Sequence, residues 1–234
     1  MPPARLFDVD GSIFRVWSSQ RSDAESTFLL VHGIGISHRL FSRLHGVLSA
    51  RHNVHTLDLP GFGGLPKPGH SPDISEMAAG IATVLERIGG GPVIAVGNSM
   101  GAQWVVELGA QRPDLVSHVV VIGPVADVEH RTAIAQAAAL GADTLREPPA
   151  ANARVFVEYS RSGPRWYLRQ LRHMLAYRIE DRVGALVRPL LVLRGGWDPI
   201  AGREWCRRLR DTAQRGRMVE VPRQPHLAQH TAPR

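Results

Sequence analysis

The segment Pro92-Val-Ile-Ala-Val-Gly97-Asn98-Ser99-Met100-Gly101 joins an apolar, β-branched run to one with helical periodicity, and it decides the fold. A G-x-S-x-G turn between strand and helix holds the serine hydroxyl clear of the sheet at a helix N-terminus. Glycine at positions 97 and 101 leaves room for the strand and the helix to approach each other closely. Ser99 is therefore our candidate nucleophile, although a glycine-rich turn with an incidental serine would give the same pentapeptide.

Strand-like and helix-like segments alternate on both sides of this turn, which favours a parallel sheet covered by helices on both faces. The strand patterns cover residues 5–9, 12–17, 27–31, 53–57, 92–96, 118–122, 189–194 and 217–221. The helical patterns cover residues 37–50, 73–88, 100–111 and 202–212. Asp10-Gly11 separates the first two strands and suits a tight hairpin turn, because both residues tolerate positive φ. We expect one α/β domain over residues 1–234, with an eight-stranded, mostly parallel sheet that begins with an antiparallel hairpin.

Residues 126–184 interrupt the alternation, since about sixty residues without a strand pattern separate the sixth strand from the seventh. They predict a helical cap inserted between these strands. Within the insertion, Gly163-Pro164 can begin a helix, because proline is tolerated in a first turn. In that region the basic side chains share one face (Arg161, Arg165, Arg169 and Arg172) and the apolar ones another (Tyr167, Leu171, Met174 and Leu175). An arginine could meet a substrate carboxylate there, or the face could simply be solvated.

A serine needs a base to accept its proton, and the sequence offers eleven histidines. His226 follows the last strand in a proline-flanked loop, and the strand ends of open α/β sheets gather around sites. His230 is the alternative, and His32 could brace the loop after the third strand. Helices and strand entries hold most of the others, which we interpret as structural (His38, His45, His52 and His118).

An imidazole base needs a carboxylate that orients it and stabilises its protonated form. Asp198 follows the seventh strand in Arg194-Gly-Gly-Trp-Asp-Pro199 and gives the chain order Ser, Asp, His. Asp127, after the sixth strand, is the alternative acid. The oxyanion of an acyl-transfer intermediate needs backbone donors, for which we choose the N–H groups of Met100 and Ile34. Substrate contacts are expected from Gly33, Gly35, Trp166 and Trp197.

Composition places the chain among globular proteins, with 44% hydrophobic and 21% charged residues in a length of 234. No apolar run approaches about 18 residues, so we expect no membrane partner. The net charge of +7 comes from scattered arginines without a nucleic-acid-binding motif, so we expect no nucleic-acid partner. A single cysteine, Cys206, and a start without a signal-peptide pattern favour a cytoplasmic location. The sequence suggests neither a metal nor a cofactor, and a homodimer is compatible with it.

Five motifs in this order resemble the α/β-hydrolase superfamily over nearly the whole chain: residues 32–35, 58–63 and 97–101, the Asp198 loop and the His226 loop. The resemblance implies a cofactor-free serine hydrolase with a cap over its pocket. Only eight residues follow His226, whereas members usually continue into a longer helix, so we expect a short or missing terminal helix.

The expected reaction is cleavage of an ester, thioester or lactone of a small to medium apolar substrate. Two alternatives stay open. The Gly-Asn-Ser-Met-Gly turn is similar to that of hydrolases that cleave carbon–carbon bonds of ring-fission products, although Gly35-Ile36 stands where many of those carry Gly-Pro. The chain could also be a non-catalytic binder that keeps the pocket, because fold does not guarantee function.

Overall fold

The computed structural model describes residues 3–234, which form one eight-stranded sheet in the order β1-β2-β4-β3-β5-β6-β7-β8. The strands are β1 (Ala4–Val9), β2 (Ser12–Ser19), β3 (Thr27–Val31), β4 (Asn53–Asp58), β5 (Val93–Asn98), β6 (Val116–Ile122), β7 (Leu190–Gly195) and β8 (Gly216–Val221). β2 pairs antiparallel with β1 and β4, and every other pairing is parallel. These pairings confirm the predicted architecture. Strands that alternate with amphipathic helices along the chain form a parallel sheet covered by helices.

The hairpin between β1 and β2 turns at Asp10 and Gly11, whose φ angles are 50° and 77°. Positive φ at both central residues matches the right-handed twist of the flanking strands. The Asp8 carboxylate accepts the Gly11 N–H at 2.8 Å, which fixes the turn further.

Nine α-helices are found among residues 3–234. They are α1 (Ser42–Leu48), α2 (Ile74–Ile88), α3 (Met100–Gln111), α4 (Ala133–Thr144), α5 (Pro149–Ser162), α6 (Pro164–Ala176), α7 (Ile179–Gly184), α8 (Arg203–Thr212) and α9 (Ala228–Thr231). None of them combines the length and the apolar composition that crossing a bilayer requires. Residues 37–50, predicted as one helix, instead form a 3-10 turn at His38–Phe41, with Ser37 accepting the Arg39 N–H as its N-cap, followed by α1.

The core lies on both faces of the sheet. Leu29 and Val31 of β3 pack in the larger cluster with α2, α3, α7 and α8, whereas Leu30 packs in a second cluster with Phe41 and α1. This division follows from the side-chain alternation of a strand, which points consecutive residues to opposite faces. The sheet is therefore a rigid support for the loops at its carboxyl edge, where β5, β7 and β8 deliver Ser99, Asp198 and His226.

Four helices, α4 to α7, lie between β6 and β7. Helix α6 begins at Pro164, as the sequence predicts, with Gly163 at φ 73° as its N-cap. The side chain of Gln103 on α3 donates to the Met174 carbonyl at the end of α6, which ties these helices to the sheet. After β8 the chain ends in the short helix α9.

Candidate active site

Ser99 stands on a strained turn between β5 and α3, with φ 58° and ψ −123°. This conformation is uncommon for a residue with a side chain, and such strain concentrates at functional sites. A Cβ atom added to Gly97 would lie 2.1 Å from the Gly101 carbonyl oxygen. A Cβ atom added to Gly101 would lie 2.4 Å from the Val31 carbonyl oxygen. Both flanking glycines are therefore required for strand and helix to approach each other and present the serine.

His226 and Asp198 form a buried side-chain contact in the site. The imidazole Nδ1 donates to the Asp198 Oδ2 at 2.8 Å, and both residues are buried. The other carboxylate oxygen, Oδ1, accepts the backbone N–H groups of Ile200 at 2.8 Å and Ala201 at 3.0 Å. Three hydrogen bonds thus hold the Asp198 carboxylate in place, and one of them fixes the orientation of the imidazole, which is the task of the acid in a Ser-His-Asp arrangement.

The two partners shift each other's pKa in opposite directions. Burial favours the neutral form of each residue. For His226, the attraction of the Asp198 carboxylate, with smaller contributions from Asp143 and Glu147, exceeds the effect of burial and raises its pKa to about 9. The imidazolium and the two backbone N–H groups likewise outweigh burial and lower the pKa of Asp198. The site therefore favours a protonated imidazole beside an ionised carboxylate.

The free imidazole nitrogen of His226, Nε2, is buried and has no hydrogen-bond partner among residues 3–234, Ser99 included. Ser99, which is partly exposed, and His226 line the same cavity. A nucleophile and its base often tighten their hydrogen bond only when substrate is bound. When the imidazole is neutral, Nε2 is thus available to accept a proton from a group in the cavity.

The loop after β3 lies against the elbow. A Cβ on Gly33 would come within 2.8 Å of the Ser99 Cβ, so a glycine lets this loop approach the serine. His32 braces the loop, since its Nδ1 donates to the Gly33 carbonyl and its Nε2 accepts the Leu59 N–H. Neither predicted oxyanion donor, Ile34 N–H or Met100 N–H, is used in another hydrogen bond among the described residues.

The cavity has a volume of about 490 Å³ and a mainly apolar wall. Its apolar lining comes from the sheet loops and from α4, α5 and α6, and includes Ile34, Val125, Leu140, Val155, Leu171 and Met174. The charged side chains of the lining are Asp143, Glu147 and His226. No arginine lines it among residues 3–234, and Arg161 pairs instead with Glu158.

The four residues expected to contact substrate do not line this cavity. Trp166 is buried and packs against the Phe62 ring. A Cβ atom added to Gly61 would lie 2.4 Å from the Trp166 indole. Trp197 is 53% exposed. Gly33 faces the Ser99 side chain, and Gly35, at φ 73°, lies under Tyr159. Aromatic character alone does not separate a pocket-lining tryptophan from a core or surface one.

The alternative acid and base lie away from the imidazole–carboxylate pair. Asp127 accepts the Glu129 N–H at 3.1 Å and contacts His130 at 3.4 Å, which makes it part of a local turn. The His230 side chain is buried near α1, with its carbonyl accepting from Arg43.

Two acidic residues that the sequence analysis did not single out reach the His226 loop from the segment between β6 and β7. Asp143 accepts the His226 N–H at 3.0 Å, and Glu147 accepts the Leu227 N–H at 2.7 Å. Their separation from the loop by about eighty residues leaves no local pattern that could have indicated these contacts.

Comparison with known proteins relates this chain to one family. A family model described as alpha/beta hydrolase family matches residues 28–234. A human (lyso)-N-acylphosphatidylethanolamine lipase is 30% identical over 116 residues, which is 48% of this chain and 34% of that protein. The chain thus matches about a third of the length of such curated relatives.

Solved structures share the fold over nearly the whole chain. Est816, described as an N-acyl homoserine lactone degrading enzyme, superposes with a TM-score of 0.85 at 18% identity, covering 98% of this chain and 96% of that one. The enol-lactonase from Burkholderia xenovorans superposes with a TM-score of 0.82 at 18% identity, covering 96% of this chain and 94% of that one.

Proposed function

The chain belongs to the alpha/beta hydrolase family, and on that premise we propose that it is a serine hydrolase of esters, thioesters or lactones. The observation that carries the proposal is the 2.8 Å contact between His226 and Asp198 at the cavity that Ser99 also lines. A strained serine, an oriented imidazole and a buried carboxylate are the three groups that acyl transfer requires.

In the proposed reaction the Ser99 Oγ attacks the substrate carbonyl while its proton passes to the His226 Nε2. The carbonyl oxygen becomes an oxyanion, which the N–H groups of Ile34 and Met100 stabilise. The C–O or C–S bond then breaks, and the proton on Nε2 passes to the departing oxygen or sulfur. Water attacks the resulting acyl-serine by the same proton route and restores Ser99.

The apolar wall supports an acyl or alkyl group of small to medium size. Helices α4, α5 and α6 supply much of that wall, so we propose that the segment between β6 and β7 serves as a cap over the bound substrate. Closing a site in this way excludes water and strengthens the interactions inside it.

Labelling with a fluorophosphonate probe tests the proposal directly. We expect mass spectrometry of the labelled protein to find the probe on Ser99, and Ser99→Ala to abolish labelling. The same substitution should lower ester turnover by about a million-fold, because the three groups act as a unit. Folded protein that stays unlabelled would overturn the proposal and favour a non-catalytic binder. Faster turnover of a vinylogous diketone than of an aryl ester would instead favour carbon–carbon bond cleavage.

A further inference from the structure

Asp143 and Glu147 place two carboxylates in the cavity wall beside His226. Both side chains are more than nine-tenths buried, at 3% and 6% exposure. Each uses one oxygen to accept a backbone N–H of the His226 loop, at 3.0 Å for Asp143 and 2.7 Å for Glu147. The triad needs neither of them, since Asp198 already orients the imidazole.

Glu147 keeps a second acceptor for which the protein supplies no donor. Its Oε2 is buried without a hydrogen-bond partner among residues 3–234. No lysine or arginine lines the cavity in this part of the chain. A buried carboxylate without a cation is costly unless something else pairs with it, so a donor from a ligand would relieve that cost.

Asn98 provides an independent observation of the same kind. This residue lines the cavity and is fully buried. Its Nδ2 donates to the carbonyls of Ile122 and His226, at 3.2 Å and 3.5 Å, whereas its Oδ1 has no partner among the described residues. Two residues of the cavity lining, on different elements, thus each keep a buried acceptor without a hydrogen-bond partner among the described residues.

The position of Glu147 indicates which part of a substrate it would meet. In acyl transfer the departing oxygen or sulfur takes its proton from the base, so the leaving portion lies next to His226. Glu147 holds Leu227, the next residue along the chain. This contact places Glu147 beside the loop that carries the base, so we expect the leaving portion to be the part of a substrate that approaches it.

We propose that the cavity selects substrates whose alcohol or thiol portion carries a hydrogen-bond donor, above all an ammonium group, which the Glu147 carboxylate binds. The inference rests on the proposed serine hydrolase function and specifies its substrate class. A leaving portion that carries a carboxylate is disfavoured, because it would face like charges in a buried site.

Three thioesters with a common butyryl group test this selectivity: S-(3-dimethylaminopropyl), S-(4-methylpentyl) and S-(3-carboxypropyl) thiobutyrate. Thiol release is followed at about pH 8, where Glu147, with a pKa raised to about 7 by burial, is ionised. We expect kcat/KM for the cationic thioester to exceed that for its neutral isostere by about tenfold, the size of one charged hydrogen bond. The anionic thioester should be the poorest substrate of the three.

Glu147→Gln keeps an oxygen for the Leu227 N–H and removes the charge. Because the ratio of cationic to neutral kcat/KM is taken within each variant, a change in overall rate cancels. We expect the ratio to fall to near one. The matched control is Glu129→Gln, which removes an exposed glutamate of the same segment, paired with Arg208, and should leave the ratio as in the wild type.

A preference that survives Glu147→Gln, or equal kcat/KM for the cationic and neutral thioesters in the wild type, would overturn the inference alone. If no thioester is cleaved and Ser99 is not labelled, the proposed function fails and the inference falls with it. Should the variant not fold, product inhibition of the wild type decides. 3-Dimethylaminopropanethiol should then inhibit more strongly than 4-methylpentanethiol, and the reverse order would contradict the proposal.

Discussion

The carboxylate of Asp143, on helix α4, accepts the backbone N–H of His226 at 3.0 Å. The segment between β6 and β7 therefore holds the loop that carries the candidate base, besides lining the cavity. Glu147 accepts the next backbone N–H and Asp198 accepts from the ring, so three carboxyl groups contact His226 or the residue after it. All three raise the pKa of His226, which governs the pH dependence that we expect of the enzyme.

The pH dependence of turnover should reflect the raised pKa of His226, which lies at about 9. A base must be neutral to accept the Ser99 proton, so kcat/KM should rise with pH through the neutral range and level off only above about 9. Asp143→Asn removes a charge that favours the imidazolium and should move the midpoint of the profile to lower pH. A profile of the neutral thioester between about pH 6 and pH 10 measures this shift. An unmoved midpoint would contradict the electrostatic role of Asp143.

The stability of the fold should respond to Glu147 in a pH-dependent manner. Burial raises the pKa of this carboxyl from 4.5 to about 7, so the folded state holds the proton more tightly than the unfolded chain. The corresponding stabilisation is present below about 4.5 and is lost as the pH rises through about 7. Glu147→Gln should therefore raise the stability by on the order of 2 kcal/mol at alkaline pH.

Thermal unfolding checks this expectation. A gain of that size corresponds to roughly 4–8 °C in the unfolding midpoint for a chain of this length, near pH 8. Below about pH 4.5 the two proteins should unfold at nearly the same temperature, because the wild-type carboxyl is then mostly neutral in the folded and the unfolded state alike. A difference of equal size at both pH values would point to packing instead of charge.

Gly123, which follows β6, should be intolerant of a side chain. Its φ is +56°, and a Cβ would lie 2.8 Å from two ring atoms of His226 and 3.0 Å from the Asp198 Oδ2. Gly123→Ala should displace the imidazole and lower kcat/KM by about a hundredfold, the cost of a misplacement near 1 Å. The control is Gly46→Ala in α1, where nothing lies within 4 Å of the new Cβ. Circular dichroism should find both variants folded, and full activity of Gly123→Ala would contradict the packing argument.

The sequence predicts the strands and the elbow well because these depend on local patterns. The run at β3, for instance, is apolar from Phe28 to Val31, and the two glycines around Ser99 belong to a short motif that is read from five consecutive residues. The carboxylates of Asp143 and Glu147 could not be found in that way. Their partners are backbone N–H groups about eighty residues away, and no spacing in the sequence encodes such a contact. Trp166 is buried whereas Trp197 is 53% exposed, a difference that tertiary packing decides and that the sequence does not indicate.

The sequence alone leaves two candidates for the acid that orients His226, Asp198 and Asp127. Asp198 Oδ2 accepts the His226 Nδ1 proton at 2.8 Å, whereas Asp127 is engaged in a turn with Glu129. Asp198→Asn keeps the size of the side chain but removes the charge that stabilises the imidazolium, so kcat should fall by about ten-thousandfold. Asp127→Asn, as its matched control, should keep wild-type turnover.

The pKa of His226 supplies a second readout for the same pair of variants. Because the Asp198 charge contributes most to raising that pKa, Asp198→Asn should lower it, and NMR titration of the ring protons would follow the change. Asp127→Asn should leave the titration where it is. If instead the Asp127 variant lost turnover and shifted the imidazole while the Asp198 variant did neither, the carboxylate of the triad would be Asp127, and the loop after β6 would have to move to bring it to the ring.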